Sequence, residues 1–323
     1  MIARFIGDRD QTREGGRVGE AWELRSGEYR ARVDRTGAGL QELTWRGRDL
    51  VWPYTSDTGP DSFQGQLLAP WPNRTAAARY TFQGTEYRLE ADDPATGAAI
   101  HGLVHALDWS AEQVSEEAAV LRLAFGGTAG YPFPLDLTAA YRLGPDGLDV
   151  TVGVRNTGTG DAPFGLGFHP YLTLDRPLWE LSERGELTVS ADAGTHQPTD
   201  GGMIPKGAPL PVDGGELDLR PPGRSLGSTV LDTAFTALDR DAEGRSWVRV
   251  GGPEHRVCLW SGPGLDWLQL YSGDTLEGPR RRAALAAEPM TCPPDALNSG
   301  TGLLVLAPGA SAEYRFGLLA EPV

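Results

Sequence analysis

Short segments with strand periodicity, separated by turn residues, run through nearly the whole chain, and this pattern limits the possible folds more than any other feature. Residues 118–125 ("AAVLRLAF"), 135–143 ("LDLTAAYRL") and 148–156 ("LDVTVGVRN") have this period, and "GPDG" joins the last two. "RYTFQGTEYRLE" is typical of a hairpin whose turn is Gln83-Gly84. No convincing amphipathic helix exceeds about two turns. Short strands with turn signals about every 8 to 12 residues predict a β-sandwich or barrel.

Length and composition agree with one large all-β unit. The 323 residues alone would suggest two domains, but β-sandwiches often exceed that guide as single units. The 43 glycines and 25 prolines, against 3 methionines, are typical of a turn-rich fold. We therefore expect a single domain over 1–323, with residues 1–20 as a peripheral N-terminal segment. The Pro/Gly-rich stretches 197–224 and 286–300 are predicted to be long functional or bracing loops.

Charge and hydropathy exclude several classes of partner. A net charge of -15 argues against nucleic acid, which requires a basic surface. It also disfavours an anionic substrate, although a local arginine pocket could override the global sign. No stretch approaches the roughly 18 apolar residues that span a bilayer, and the N-terminus lacks the apolar core of a signal peptide. We expect a soluble cytoplasmic protein, either a monomer or a homodimer.

Two reactive residue types are scarce. Cys258 and Cys292 are the only cysteines, too few for a disulfide framework in a chain of this size, so we predict two reduced thiols. Lys206 is the single lysine, and its surroundings, "IPKGAPLP", are typical of an exposed loop. This leaves little room for Schiff-base chemistry, which requires a buried, perturbed lysine.

His101 and His105 have the H-x-x-x-H spacing of a helical zinc site. Gly102 and the β-branched Val104 weaken a helix here, and the motif lacks its glutamate. On a strand the two histidines would face the same side but stand about 13 Å apart, too far to share an ion. We therefore predict no metal.

His169 and Glu288 each precede a proline, which restricts the backbone of the preceding residue to the extended region. Taken singly, each has a simpler interpretation: His169 as a buried histidine that packs the core, and Glu288 as a surface acid in a loop. Taken together, two titratable residues on rigid supports suggest a general acid/base pair, because such groups each contribute about 10² to 10⁴ in rate.

The stretch "AAEPMTCPPDALNSG", residues 286–300, surrounds this glutamate with prolines. Such a segment is predicted neither to propagate a helix nor to lie inside a sheet ladder. Asp295 and Asn298 are predicted to brace the loop backbone rather than to transfer protons.

The motifs "PNR", "HG", "HPYL", "LDTAF", "LQLYSGD", "EPMTCPPDALNSG" and "APG" follow one another along the chain. Their order resembles that of the aldose 1-epimerases, also called galactose mutarotases, from about residue 20 to the C-terminus. "HPYL" and "EPxTxPPDAxN" are specific to this family, whereas "NR" and "HG" support the resemblance only through their order and spacing. The resemblance implies an all-β fold, a large antiparallel β-sandwich of the galactose mutarotase-like supersandwich type, with the sugar in an open cleft on one concave sheet face.

The resemblance also implies roles for particular residues. Glu288 matches the general base and His169 the general acid. The positions that match substrate-binding residues are Asn73, Arg74, His101 and Asp232. No cofactor or metal is implied, and the partner is a small-molecule aldose.

Three departures from the family pattern concern substrate preference more than the acid/base pair. Met290 stands where glutamine is more frequent, "HGL" stands where many members have "HGG", and His105 stands where similar relatives often have arginine. Which aldose is preferred therefore stays open, and the stretch 197–224 could narrow the cleft.

The implied reaction opens a cyclic hemiacetal. Ionised Glu288 would remove the proton of the C1 hydroxyl while protonated His169 gives a proton to the ring oxygen. The aldehyde then rotates about C1–C2 and the reverse transfers close the ring on its other face. If the two groups are close, opposite charges should lower the pKa of Glu288 and raise that of His169.

Two alternatives remain. Relatives with the same sandwich epimerise hexose 6-phosphates, and "GPRRRAA" (278–284) could supply cations for a phosphate, although a solvated turn is the simpler interpretation. A non-catalytic sugar-binding protein is the other, but binding alone does not require a matched acid and base.

Overall fold

The structure is a computed structural model that describes residues 21–55 and 57–323, and it is built almost wholly of strands. The peripheral segment predicted for residues 1–20 lies outside the described residues. In chain order the strands are β1 (Ala21–Ser26), β2 (Tyr29–Asp34), β3 (Leu40–Trp45), β4 (Arg48–Asp49), β5 (Leu67–Leu68), β6 (Arg74–Thr75), β7 (Arg79–Phe82), β8 (Thr85–Arg88), β9 (Ala99–Ile100), β10 (Ser110–Val114), β11 (Ala118–Phe125), β12 (Leu135–Gly144), β13 (Gly147–Asn156), β14 (Ala162–Phe164), β15 (Gly167–Phe168), β16 (Tyr171–Leu172), β17 (Thr188–Ala191), β18 (Ala193–His196), β19 (Leu210–Pro211), β20 (Asp232–Leu238), β21 (Ser246–Gly251), β22 (His255–Ser261), β23 (Trp267–Tyr271), β24 (Leu285–Met290), β25 (Leu304–Leu306) and β26 (Ser311–Pro322).

Helices are few and short, as the sequence predicts. The described residues contain the α-helices α1 (Leu178–Glu183) and α2 (Ala296–Ser299). The 3₁₀ turns are Ala76–Ala78, Val104–Ala106 and Gly278–Arg280. Within the described ranges, no helix is both long and apolar enough to cross a membrane.

Two large antiparallel sheets dominate the architecture. The first, here called the back sheet, has the order β10-β11-β12-β13-β26-β22-β21-β17. The second, here called the site sheet, has the order β19-β18-β20-β23-β24-β15-β5, with β16 also paired to β24. A smaller sheet of β1 to β4 contacts β11 and β12 of the back sheet. The all-β, antiparallel fold class is therefore confirmed.

The predicted strands and hairpins form where the sequence pattern places them. β11 spans the predicted residues 118–125, and β12 alternates between buried and more exposed side chains along its length. In the hairpin of β7 and β8, both turn residues have left-handed φ angles, 48° for Gln83 and 81° for Gly84. Left-handed angles at both central positions are the requirement of the type I′ turn, whose twist matches that of the strands.

The two large sheets share one apolar core. Phe168 of the site sheet stacks on Phe316 of the back sheet with ring centroids 4.6 Å apart, and both side chains are fully buried. Burial of each such ring stabilises the fold by about 1.5–3 kcal/mol. Packing across the sandwich leaves the other face of the site sheet free for polar side chains.

Strand β24 corrects one expectation from the sequence. Residues 285–290 lie inside the site sheet, with β23 on one side and β15 and β16 on the other, so the predicted exclusion of residues 286–290 from a ladder is wrong. Pro289 pairs with Leu268 of β23, but on its other side the ladder is interrupted: Met290 pairs with Gly167 and Ala286 with Tyr171, and between them only the N–H of Ala287 donates across, to the carbonyl of Pro170 (3.1 Å). A proline, which has no amide hydrogen, is tolerated at such an interruption.

The same interruption contains the second X-Pro step of the site. His169 and Pro170 occupy the gap between β15 and β16, facing Glu288 and Pro289 on β24. Two restricted dipeptides thus meet where the regular pairing breaks. The side chains of His169 and Glu288 consequently lie close to one another.

Candidate active site

A cavity of about 480 Å³ opens on the site sheet. All six residues predicted from the sequence line it, although they come from widely separated parts of the chain: Asn73, Arg74, His101, His169, Asp232 and Glu288. The structure therefore brings the predicted set together. Their roles in the reaction are a separate matter, taken up under the proposed function.

Strand register explains why the acidic side of the cavity forms. Gln269 of β23 lies directly opposite Glu288 of β24, and Tyr271 lies directly opposite Asp232 of β20. Residues two apart on one strand, and directly opposite residues on neighbouring strands, share a face. These four side chains consequently point into the cavity.

The imidazole of His169 contacts the carboxyl group of Glu288. Nε2 and Oε1 are 3.3 Å apart, and the two residues are 4% and 2% exposed. The main chain of His169 is held on both sides, since its N–H donates to the carbonyl of Gln66 (3.0 Å) and its carbonyl accepts from the N–H of Gly65 (2.8 Å). The two titratable groups are thus adjacent and carried on a fixed main chain, as a general acid and a general base require.

His101 is fixed by reciprocal bonds to Asn73. The N–H of Asn73 donates to Nδ1 of His101 (3.2 Å), and the N–H of His101 donates to the carbonyl of Asn73 (2.9 Å). Both residues have left-handed φ angles, 55° and 62°. The next residue, Gly102, has to be glycine because a Cβ there would overlap the carbonyl of Ala69. The "PNR" and "HG" motifs are thus two halves of one folded unit.

This bond argues against His101 as a metal ligand. Ligand atoms of His101, His169 and Glu288 lie within 4.8 Å of one another, a set that could resemble a zinc site. Nδ1 of His101, however, accepts a hydrogen bond from a main-chain amide, so the neutral ring carries its proton on Nε2. Neither nitrogen then offers a free lone pair to an ion. The imidazole suits donation of a hydrogen bond from Nε2 better than metal coordination.

Arg74 is oriented by Asp93, a residue that the sequence analysis did not single out. Nε of Arg74 donates to Oδ2 of Asp93 (2.7 Å), which also accepts from Oγ1 of Thr96 (2.7 Å). Burial alone would raise the pKa of Asp93, but these bonds outweigh it and hold the pKa below its ordinary value. The pair leaves the remaining guanidinium nitrogens of Arg74 for a ligand.

Gln269 is a second residue missed from the sequence. Its Nε2 donates to Oδ1 of Asp232 (2.6 Å), whereas its buried Oε1 has no hydrogen-bond partner within the described part of the chain. A buried acceptor without a partner costs about 1–3 kcal/mol, so it is a natural contact for a hydrogen-bond donor of a ligand. The signal was the alternation in "LQLYSGD", which places Gln269 and Tyr271 on one face.

Aromatic rings form one wall of the cavity. Phe63, Tyr171 and Tyr271 line it, and Tyr171 stacks on His169 with ring centroids 5.0 Å apart. Tyr271 meets Tyr171 edge to face at 6.5 Å. Sequence reasoning assigned no role to these rings, because an isolated aromatic residue usually packs a core.

Burial governs the protonation of the catalytic candidates. The pKa of Glu288 is raised well above its usual value by burial, to which the charge of Asp232 adds, and Arg74 opposes the rise. Burial lowers the pKa of His169 to about 3. The expectation of a lowered pKa for Glu288 and a raised pKa for His169 is therefore wrong. Removing both groups from water penalises their charged forms more than their attraction favours them.

The neighbouring polar groups follow the same trend. Burial lowers the pKa of His101 well below its usual value, and the nearby His169 and His105 add to this effect. His101 is therefore neutral at physiological pH, as its tautomer requires. Burial also raises the pKa of Asp232, with Arg74 and Gln269 opposing the rise.

Other sequence predictions can be placed relative to the cavity. His105 lies in the 3₁₀ turn behind Phe63, with ring centroids 5.0 Å apart. Within the described chain, no residue of 197–224 lines the cavity, and that stretch forms turns apart from β19. In "GPRRRAA", Arg280 forms an ion pair with Asp61 and Arg282 with Asp274, and none of the three arginines lines the cavity.

Two further predictions are confirmed: Asp295 and Asn298 brace the chain, and both cysteines are free thiols. Oδ1 of Asp295 accepts from the N–H of Ala76 (2.9 Å) and from Nδ2 of Asn298 (2.7 Å), so the brace links the 286–300 stretch to the strand that carries Arg74. Cys258 and Cys292 are free and buried, and burial raises the pKa of each thiol to about 12.

Comparison of the sequence with known proteins identifies one family. The sequence model of one family, described as aldose 1-epimerase, matches residues 20–318. An Escherichia coli K12 protein described as the uncharacterized protein YihR is 33% identical over 310 residues, which cover 94% of this chain and 94% of that protein. The galactose mutarotase of Homo sapiens is 27% identical over 286 residues, covering 82% of this chain and 80% of that protein.

Solved structures agree with the architecture. A GalM/aldose epimerase homologue from C. elegans has a TM-score of 0.82 at 18% identity, covering 94% of this chain and 99% of that chain. A putative aldose 1-epimerase from Escherichia coli K12 has a TM-score of 0.78 at 21% identity, again covering 94% and 99%. At these identities the likeness concerns the fold, and it confirms the mutarotase-like β-sandwich.

Proposed function

Because the chain belongs to the aldose 1-epimerase family, we propose that it interconverts the α and β anomers of free hexoses such as glucose or galactose. The observation that carries the proposal is the buried contact between His169 and Glu288 at 3.3 Å, inside a cavity lined by hydrogen-bonding groups. The sugar's proton donor, the C1 hydroxyl O1, and its proton acceptor, the ring oxygen, are both bonded to C1. A single acid/base pair at this separation can therefore serve both oxygens.

In the proposed mechanism, the carboxylate of Glu288 removes the proton from the C1 hydroxyl. The imidazolium of His169 delivers a proton to the ring oxygen, and the C1–ring oxygen bond breaks to give the aldehyde. Rotation about C1–C2 presents the other face of the carbonyl. The same two groups then reverse their transfers and close the ring, so each is restored for the next turnover.

One proton transfer separates the protonation favoured by burial of Glu288 and His169 from this starting state. Burial favours a carboxyl group beside an uncharged imidazole, and this arrangement contains as many protons as carboxylate beside imidazolium. Transfer of a proton from Glu288 to His169 interconverts the two. A bound sugar would replace water with oriented hydroxyls around the pair, and we propose that this promotes the charged arrangement.

The surrounding residues are proposed to bind the sugar hydroxyls. Arg74 and His101 would donate to oxygens near C1, Asp232 would accept from a ring hydroxyl, and Gln269 would offer its unpaired Oε1. Asn73 would act mainly by holding His101, since its own amide oxygen accepts from the N–H of Arg74 (2.9 Å). These groups recognise hydroxyls, not a particular metal or nucleotide.

A neutral hexose fits this cavity better than a hexose phosphate. The one guanidinium in the described lining, that of Arg74, already faces the carboxylate of Asp93. Asp232 and Glu288 add acidic groups rather than cations to the lining. A phosphate would therefore meet little of the positive charge that its recognition requires.

Polarimetry tests the proposal directly. Freshly dissolved α-glucose or α-galactose should lose optical rotation faster with the protein than without it, and E288Q should reduce this acceleration by about 10²–10⁴-fold. E313Q, which removes an exposed carboxylate, is the matched control and should keep the parent rate.

The outcomes separate the alternatives. A parent-like rate for E288Q would remove Glu288 from the role of base. Faster exchange of glucose 6-phosphate than of glucose would favour the phosphate epimerase. Saturable sugar binding without faster anomer exchange would favour a non-catalytic sugar-binding protein.

A further inference from the structure

The orientation of His169 is not set by a hydrogen bond to its second ring nitrogen. Nε2 faces Glu288, but the buried Nδ1 has no hydrogen-bond partner on any other described residue. Catalytic and ligating histidines are usually oriented by a carboxylate or carbonyl at the nitrogen that does not react. Another contact must therefore keep this imidazole turned toward the carboxyl group.

Ring packing supplies that contact. Two aromatic rings lie nearly parallel to the His169 ring, Phe63 at 6.1 Å and 29° and Tyr171 at 5.0 Å and 27°. His101 meets it edge to face at 5.2 Å and 73°. A planar ring enclosed in this way has little freedom to rotate about its side-chain bonds.

Phe63 is held in place at an energetic cost. It has a left-handed φ angle of 62°, as does the preceding Ser62 at 53°, and such conformations cost about 1–3 kcal/mol each outside glycine. The hydroxyl of Tyr171 donates to the carbonyl of Ser62 (3.2 Å), and the Phe63 ring also contacts His101 at 4.5 Å. His105 supports the ring from behind. Strain retained at a cavity wall points to a functional placement.

The loop that carries Phe63 also holds the main chain of His169. Gly65 and Gln66 make the two main-chain hydrogen bonds on either side of the histidine. At Gly65, which has a φ angle of 65°, a Cβ would overlap the carbonyl of Leu40. One short loop, residues 61–66, thus fixes both the backbone and the ring of the histidine.

We propose that Phe63 is a positioning residue for His169, whose ring it holds with Nε2 toward Glu288 in place of the missing hydrogen bond. The inference rests on the proposed function for its kinetic consequences, since His169 is the acid of that reaction. Phe63 has no polar side-chain atom, so it acts through packing alone. Tyr171 stacks on the same imidazole.

Substitutions at Phe63 test this role in the full-length protein. F63L, which keeps an apolar side chain but removes the ring, should lower kcat by about 10-fold or more, because small misplacements of a catalytic group can cost up to about 10²-fold. KM should change less than kcat, within about 2-fold, since F63L removes none of the hydroxyl-binding groups. F63Y restores the ring and should restore most of kcat. F82L, a substitution at a distant aromatic residue of β7, is the matched control and should leave both constants unchanged.

Nuclear magnetic resonance provides a readout that does not depend on turnover. In the ¹⁵N-histidine-labelled parent, the ring nitrogens of His169 should give the shifts of one fixed tautomer. In F63A, or in F63L if F63A does not fold, the same signals should move toward averaged values. F63Y should resemble the parent.

The outcomes are distinct. Parent-like kcat and unchanged His169 signals in F63L and F63A would overturn the inference. A raised KM with unchanged kcat would also overturn it, because Phe63 would then act only as a substrate contact. If the parent accelerates no sugar, the proposed function fails, while the tautomer signals still decide whether Phe63 positions the imidazole.

Discussion

Glu288 is a carboxyl group buried in the interior at a cost to stability. Its folded pKa is raised well above 4.5 mainly by burial, so its contribution to stability is fully present below the unfolded-state pKa and is lost as the pH rises toward the folded one. Each unit of such a shift corresponds to about 1.4 kcal/mol. The folded state therefore favours the uncharged form of Glu288, the group that carries the proposed chemistry.

Replacing this carboxyl group should stabilise the protein in a pH-dependent way. E288Q does not titrate, so its free energy of unfolding should exceed that of the parent by an amount that grows as the pH rises from about 4.5 toward neutral. Chemical denaturation between pH 4 and 8 measures the difference. E313Q should track the parent at every pH, and a gap for E288Q that does not change with pH would contradict the burial argument.

At the residue scale, the sequence predicted the acid and base candidates but not their supports. His169 and Glu288 were visible because proline restricts the residue before it. Asp93 and Phe63 were not, since an aspartate in "ADDPATG" is typical of any turn and a phenylalanine is typical of any core. Their functions depend on which distant side chains they touch, and a single sequence does not contain that information.

At the scale of elements, Asp295 links two stretches of chain. It has a left-handed φ angle of 62°, its N–H donates to the carbonyl of Arg74 (2.6 Å), and its side chain accepts from the N–H of Ala76. The turn after β24 thereby fixes the strand that carries the guanidinium. The stability of this turn and the geometry of the cavity are coupled through one carboxylate.

Substitutions at Asp295 should separate its backbone and side-chain contributions. D295A loses the side-chain bonds and strains the left-handed backbone, so we expect it to lower the free energy of unfolding by about 2–4 kcal/mol. D295G loses the same bonds without that strain and should cost less. Urea denaturation with matched polarimetry measures both effects, and equal stability of the two variants would show that backbone strain plays no part.

The hairpins could be predicted from the sequence, but the position of β24 could not. Local patterns such as Gln83-Gly84 determine a turn by themselves, because both residues tolerate left-handed angles. Pro289, by contrast, is compatible with a strand only because the ladder breaks beside it, and that break depends on residues 167–172. A local rule for proline therefore gave the wrong answer at the most informative strand.

At the scale of the whole molecule, the back sheet is held together by pairing between segments that are distant in the chain. The C-terminal strand β26 lies between β13 and β22 in the back sheet, so the last residues of the chain complete its middle. The fold class followed from periodicity and turns, whereas this strand order is set by pairing between distant segments. Gly317 of β26 illustrates the closeness of that pairing, because a Cβ there would overlap the carbonyl of Leu148 and the indole of Trp260.

A single unfolding transition is the corresponding prediction for the chain as one domain. Tryptophan fluorescence, circular dichroism and calorimetry should give coincident transitions, because the sheets share one apolar core and cannot lose it in parts. A calorimetric enthalpy close to the van't Hoff enthalpy would support this, and two resolved transitions would contradict it. G317A should shift the whole transition to a lower temperature without splitting it.

The burial of both thiols has a practical consequence. Alkylating and maleimide reagents react with thiolates, and pKa values of about 12 keep Cys258 and Cys292 protonated and shielded. A cysteine introduced at the exposed rim of the cavity, as in T275C, would therefore be the one readily labelled sulfur in the chain. A fluorescent reporter attached there would test the proposed sugar binding without removal of either native cysteine.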